Sequence, residues 1–192
     1  MREIIQKILE ESIDVKSRSV KKNIDRIISG ADRIATSLAA GHKILIFGNG
    51  GSAADAQHIT AEFVNRFKIE RPPLAAIALT TDTSIITSIG NDYQFDDIFA
   101  KQIHALGKKG DIAWGISTSG NAKNVIEGVK AAKKNGIFSF GMTGRGGLLA
   151  KLTDLAFRVE SDTTARIQEV HITLGHILCN LVDRILFPDQ FK

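Results

Sequence analysis

The sequence predicts an α/β fold: a doubly wound parallel sheet of about five strands, flanked by helices and preceded by an N-terminal helical segment. Three observations predict it. Short apolar runs alternate with longer segments of helical periodicity, the pattern of strand–helix units that build a parallel sheet. The apolar runs are continuous rather than alternating, as when helices cover both sheet faces. Two of the runs end in turns rich in glycine and hydroxyl residues that lead straight into helices, as strand–loop–helix units do. With 192 residues, 43% of them hydrophobic, the chain has enough apolar material for one domain with a substantial core, and disorder is not expected.

The elements follow in order. Residues 1–40 read as helical: Ile4, Ile5, Ile8, Leu9 and Ile13 form one apolar stripe. Val20, Ile24, Ile27, Ile28, Ala31, Ile34 and Leu38 form another. Gly41 stops the helix. No linker follows, so this segment is expected to pack on the core of residues 41–192 or on a second subunit. Residues 43–47 are a strand and 52–67 a helix. A strand at 74–79 follows Pro72-Pro73. Residues 83–89 and 95–106 are helical, 112–117 a strand and 122–135 a helix. Residues 137–142 are a strand, 147–152 a helical turn, 155–159 the last strand and 164–187 a long helix.

Composition narrows the function classes. No apolar run reaches the ~20 residues of a membrane helix. Met1 to Lys7 mixes charges with isolated apolar residues, unlike a signal peptide. Cys179 is the single cysteine, so no intrachain disulfide forms, and a cytoplasmic location is expected. The formal net charge of +4 is mild and scattered over Lys21-Lys22, Lys108-Lys109 and Lys133-Lys134. These read as solvated faces rather than a nucleic-acid footprint.

The chemistry-bearing residues gather after the strands. Gly48-Asn49-Gly50-Gly51-Ser52 closes the first strand and opens a helix. Its backbone curls around an anion site made of free N–H groups and the positive end of the helix dipole. Ser117-Thr118-Ser119-Gly120-Asn121 repeats the device after a second strand, with hydroxyls in place of glycines. Gly48, Gly50 and Ala53 also match the relaxed dinucleotide fingerprint. The acid that such a site needs is missing at the next strand end, where Asp82 comes late, and a dinucleotide has no use for the hydroxyl-rich loop. On the first helix His58 and Glu62 stand at i,i+4 on one face, beside Asp55. The alanines and large apolar residues around them predict a largely buried helix, where charge must be paired or bound to a metal. The last helix adds Gln168, Glu169, His171 and His176. Gln168 and His176 lie roughly 80° apart and about 12 Å apart along the axis, and spacing alone does not choose between His171 and His176.

Taken together, these segments resemble the phosphoheptose isomerases of the sugar isomerase (SIS) domain superfamily. The matching stretches are GNGGSAADAQH at 48–58, AEF at 61–63, RP at 71–72, IGND at 89–92, GISTSGN at 115–121 and TARIQEVH at 164–171, with His176 beyond. The resemblance implies one SIS domain over residues 1–192, of flavodoxin-like architecture, and a homotetramer with active sites at subunit interfaces. It implies zinc held by His58, Glu62, Gln168 and His176. It implies a sugar phosphate held by Asn49, Gly50, Gly51, Ser52, Ser117, Thr118 and Ser119, with Glu62, Asn91, Asp92 and Gln168 also touching it. The implied reaction is the aldose–ketose isomerisation of sedoheptulose 7-phosphate to D-glycero-D-manno-heptose 7-phosphate, for bacterial lipopolysaccharide. Glu62 would serve as base and His176 as its acid/base partner. The two roles of Glu62 compete, since a zinc-bound carboxylate is a poorer base. Two positions depart from the family pattern: Ala122 stands where many members have a phosphate-binding serine, and Ala165 where some have an aspartate. Asn65-Arg66-Phe67, Glu70-Arg71-Pro72, residues 76–79 and Leu186-Phe187-Pro188 also resemble the DnaA initiator-associating protein, a non-catalytic relative. That family lacks the acid and the histidine corresponding to Glu62 and His176, so the enzyme is the expected reading and DnaA binding the alternative.

Overall fold

A computed structural model describes residues 1–191 of the chain. Its centre is a five-stranded, all-parallel sheet: β1 (Ile44–Gly48), β2 (Ala76–Ala78), β3 (Ile112–Ser117), β4 (Phe138–Thr143) and β5 (Leu155–Arg158). The strand order is β2-β1-β3-β4-β5, the flavodoxin-like order in which the chain reverses direction across the sheet between β1 and β3. Registers run Ile44 to Ile112 between those two strands and Ile112 to Phe138 between β3 and β4. All five residues of β1 and all six of β3 are buried, which accounts for their continuous apolar runs.

Alternate side chains of each strand feed two cores. Ile44, Ile46, Trp114 and Met142 face one side, where they meet α1 (Arg2–Ala39), α2 (Gly51–Val64) and α7 (Thr164–Leu186). Leu45, Phe47 and Ala113 face the other, beneath α3 (Thr83–Asp92), α4 (Ile98–Leu106), α5 (Lys123–Lys134) and α6 (Leu148–Leu152). Short 3₁₀ turns at Phe95–Asp97 and Pro188–Phe191 complete the described elements. Among the described residues no helix is long and apolar enough to cross a membrane.

The two N-terminal stripes belong to one continuous helix, and they fare differently. Ile27, Ala31 and Ile34 are buried against the domain, whereas Ile24 and Ile28 are about half exposed. Ile4, Ile5, Ile8, Leu9 and Ile13 are all at least 49% exposed. The helix ends at Ala39, and Gly41 turns the chain at φ +79°. α2 also departs from expectation. It ends at Val64 rather than at residue 67, and it is not largely buried: only Ser52, Ala56, Ile59 and Phe63 are. Those four form a single stripe toward the sheet, so Ala54, Ala61 and the exposed His58 face outward.

Candidate active site

The two glycine- and hydroxyl-bearing turns follow β1 and β3, the neighbours between which the sheet reverses. That is where ligands bind in open α/β sheets. Gly50 takes φ +54° and opens α2 with no side-chain cap. Ala122 opens α5, also without one. No side chain takes up the first-turn N–H groups of either helix, although in α2 those of Ser52 and Ala53 turn back to Asn49 O and Gly50 O at 3.0 Å. Asn49 and Asn124 tie the turns together by reciprocal amide bonds of 2.8 and 2.9 Å. The Asn121 N–H donates to Ser119 Oγ at 3.1 Å, and the Leu148 N–H donates to Asn121 Oδ1 at 3.0 Å. Gly120 sits at φ +67°, so close to Gly146 O that no side chain fits there. Asn49, Ser52, Ser117, Thr118, Ser119, Ala122 and Gln168 line a cleft of about 150 Å³. Its donors and hydroxyls suit a phosphate. The Gln168 amide lies directly over Gly51.

One to three turns further along α2, a second group assembles. His58, Glu62 and His176 offer ligand atoms that all lie within 4.8 Å of one another. His58 Nε2 is 3.0 Å from Glu62 Oε1 and 3.4 Å from His176 Nε2. The His58 and His176 rings meet edge to face with centroids 5.0 Å apart, and Phe67 covers His176 at 5.5 Å. Burial first, then the neighbouring His58, holds the His176 imidazole below its ordinary range, with Glu62 opposing. A neutral imidazole is the form that ligates a metal. Ligands about 2.0–2.1 Å from a tetrahedral zinc stand roughly 3.4 Å from one another. The spacings here are of that size, and two imidazoles with one carboxylate are a zinc-type donor set, so the residues fit the ion.

The expected residues thus fall into three groups. Asn49, Gly50, Gly51, Ser52, Ser117, Thr118, Ser119 and Gln168 gather at the cleft. His58, Glu62 and His176 form the cluster. Asn91 and Asp92 close α3, and their side chains bond to each other at 2.8 Å, exposed, rather than to either group. Gln168, the expected fourth metal ligand, is placed by its contact with Gly51 at the cleft, away from the cluster. His171, equal to His176 by spacing, points the other way. It is fully buried, with Nε2 3.2 Å from Thr143 O, and burial pushes its pKa down to about 4. Asp82 caps α3 through the Ile85 N–H at 2.9 Å, which removes it from any dinucleotide role. Asn124 and Phe67 escaped the sequence reading, because neither an asparagine one residue into a helix nor an aromatic beyond a helix end carries a local signal of its partner.

A family model described as the SIS domain matches residues 8–144. The phosphoheptose isomerase of Nitratidesulfovibrio vulgaris (strain Hildenborough) is 61% identical over 168 residues, 87% of this chain and 81% of its own length. This chain belongs to the phosphoheptose isomerase family. Solved structures agree with that placement. The phosphoheptose isomerase of Neisseria gonorrhoeae is 45% identical, with a TM-score of 0.89 over 95% of this chain and 98% of its own. That of Francisella tularensis is 40% identical, with a TM-score of 0.91 over 95% and 97%. The SIS domain match takes in both turns and α2 but stops before α7. The phosphoheptose isomerase likeness runs over nearly the whole chain.

Proposed function

We propose that this chain isomerises sedoheptulose 7-phosphate to D-glycero-D-manno-heptose 7-phosphate through an enediol, as a step toward bacterial lipopolysaccharide. One observation carries the reading. α2 and α7 together present a cleft lined by hydroxyls and amides, through Ser52 and Gln168, and a His/Glu cluster, through His58, Glu62 and His176. A sugar anchored by its phosphate at one end would bring its reacting carbons toward the other.

Each residue then has a task. Backbone donors at Gly50 and Gly51, with Asn49, Ser52, Ser117, Thr118 and Ser119, hold the phosphate. Gln168 reaches over this cleft and orients the chain of hydroxyls. The Glu62 carboxylate takes the proton from one carbon and returns it to the next. His176, kept neutral by burial, moves a proton at the neighbouring oxygen. His58, Glu62 and His176 would hold zinc, which when bound supplies a Lewis acid beside the substrate carbonyl, while Gln168 stays at the cleft. Asn91 and Asp92 sit exposed at the end of α3, as suits residues that complete a site across an interface. The open stripe of Ile4, Ile5, Ile8, Leu9 and Ile13 supports association into a homotetramer. The reading places the protein in the cytoplasm, in keeping with the free, buried Cys179. The relatives are named for isomerase activity, so this reading is kept over DnaA binding.

The test is turnover of sedoheptulose 7-phosphate by the wild-type chain and by Glu62→Gln, with metal content measured on the same samples. Glu62→Gln keeps the shape and loses the proton acceptor, so kcat falls by ~10²-fold or more. Near-normal turnover by a folded Glu62→Gln removes Glu62 as base. DnaA capture without any turnover, metal supplied, reverses the choice of function.

A further inference from the structure

Behind the cluster, on the far side of Glu62, lies a buried ion pair to which the reaction assigns no task. Arg71 stands in the loop between α2 and β2, and Asp183 on α7. Arg71 Nε donates to Asp183 Oδ1 at 2.7 Å, and both side chains are only 1% exposed. The rest of the guanidinium is spent on backbone. Nη2 donates to Glu62 O at 2.8 Å and Nη1 to Phe63 O at 2.8 Å, with longer bonds to Pro72 O and Asn65 O. Glu62 and Phe63 are in the last turn of α2, where carbonyls lack helical partners and a cation is favoured by the dipole.

The placement connects both halves of the cluster. Asp183 is seven residues beyond His176, two turns along α7 and on nearly the same face. Arg71 therefore bonds the backbone of Glu62 itself and, through Asp183, the face of α7 that carries His176. At the cluster itself the helices are close-packed: a Cβ at Gly175, next to His176, would lie 2.7 Å from Cδ1 of Ile59, next to His58. Stability is a poor explanation for the pair. Burying two charges costs desolvation that the attraction only partly offsets, and Asp183 Oδ2 is left buried with no hydrogen-bond partner. What the planar fork supplies is geometry, because its donors fix several acceptors at once.

We propose that Arg71, held by Asp183, is a positioning residue that sets α2 against α7 and so fixes Glu62 and His58 relative to His176. This rests on the isomerase reading, in which Glu62 and His176 handle the protons.

Two variants test it: Arg71→Lys, which keeps the charge but loses the fork, and the double variant Arg71→Met with Asp183→Leu. An apolar pair can replace a buried ion pair at little cost in stability, but the bonds to Glu62 O and Phe63 O are lost as well, so the double variant is expected to stay folded with a lower melting temperature. Its kcat is nonetheless expected to fall about 10-fold or more, since displacements near 1 Å are felt at this level. KM should move less than about 3-fold, because the phosphate cleft lies at the opposite end of α2. Arg71→Lys should show the same split in milder form. Its crystal structure should show the 3.4 Å spacing of His58 and His176 changed by more than ~0.5 Å. An unchanged cluster in Arg71→Lys overturns the proposal whatever the activity. So does a double variant with wild-type kcat in an assay where Glu62→Gln is inactive. If Glu62→Gln is itself fully active, the fault lies with the assigned reaction, and the cluster spacing still decides the role of Arg71.

Discussion

His171 offers a direct reading of how this core responds to acid. Its Nε2–H donates to Thr143 O, while Nδ1 is buried without a partner. Protonation would add an N–H at Nδ1 with nothing to accept it, in a fully buried site. Burial accordingly pushes its pKa from 6.5 to about 4 in the folded chain. The folded value lies below the unfolded one, so between these two pH values the unfolded chain binds more protons. Stability is therefore lost as pH falls through this window. At pH 5 an unfolded histidine is almost wholly charged and His171 almost wholly neutral. The difference amounts to about 2 kcal/mol, rising to roughly 3 kcal/mol near pH 4. The perturbation is His171→Gln, whose amide can still donate to Thr143 O but does not titrate. Urea unfolding of both proteins at pH 7.5 and 5, at one fixed protein concentration, gives the comparison. The wild type should lose about 2 kcal/mol more than His171→Gln between the two pH values. Equal losses would refute the buried neutral imidazole.

Three further outcomes are expected. Ser119→Ala should raise KM for the sugar phosphate by roughly 10-fold, the size of one lost bond to a charged group, with a smaller change in kcat; steady-state kinetics decide, and a KM indifferent to changes in both turns would move the phosphate elsewhere. His58→Ala and His176→Ala should each lower zinc occupancy by elemental analysis after equilibration with the metal, whereas His171→Gln should not. Ile5→Asp with Leu9→Asp should shift the protein toward smaller species in analytical ultracentrifugation, and an unchanged distribution would show that this stripe is not the contact.

The sheet was legible because its strands are buried on both faces. Continuous apolar runs at 43–47 and 112–117 leave little choice of element, and the glycine and hydroxyl turns after them located the cleft. The His58/Glu62 pair was equally plain, since i,i+4 spacing on a helix is a local property. What escaped was decided by packing at long range. Spacing along α7 does not separate His171 from His176, because only the sheet beneath determines which imidazole is enclosed. α2 ends three residues before its periodicity suggests, at carbonyls bonded by Arg71, seven residues on, which no cap signal announces. Its burial was overestimated because alanine serves an open helix face as readily as a closed one. The reciprocal amide pair of Asn49 and Asn124 joins the turn before α2 to the first turn of α5, which no periodicity connects.

The length of α1 has a thermodynamic consequence. At 38 residues it spans about 57 Å, and its first ten residues are exposed throughout. A helical stretch of that size is marginal by itself in water. The N-terminal third of α1 is tied to the first turns of α7: Arg166 Nη1 donates to Ile8 O at 2.8 Å, and Ser12 Oγ to Glu169 Oε2 at 2.6 Å. Gln168 lies between those two anchors. Fraying of α1 upon dilution would release both and loosen the residue that reaches over the phosphate cleft. If the chain associates through α1 as proposed, specific activity becomes a function of protein concentration, with the subunit equilibrium acting on KM through α1.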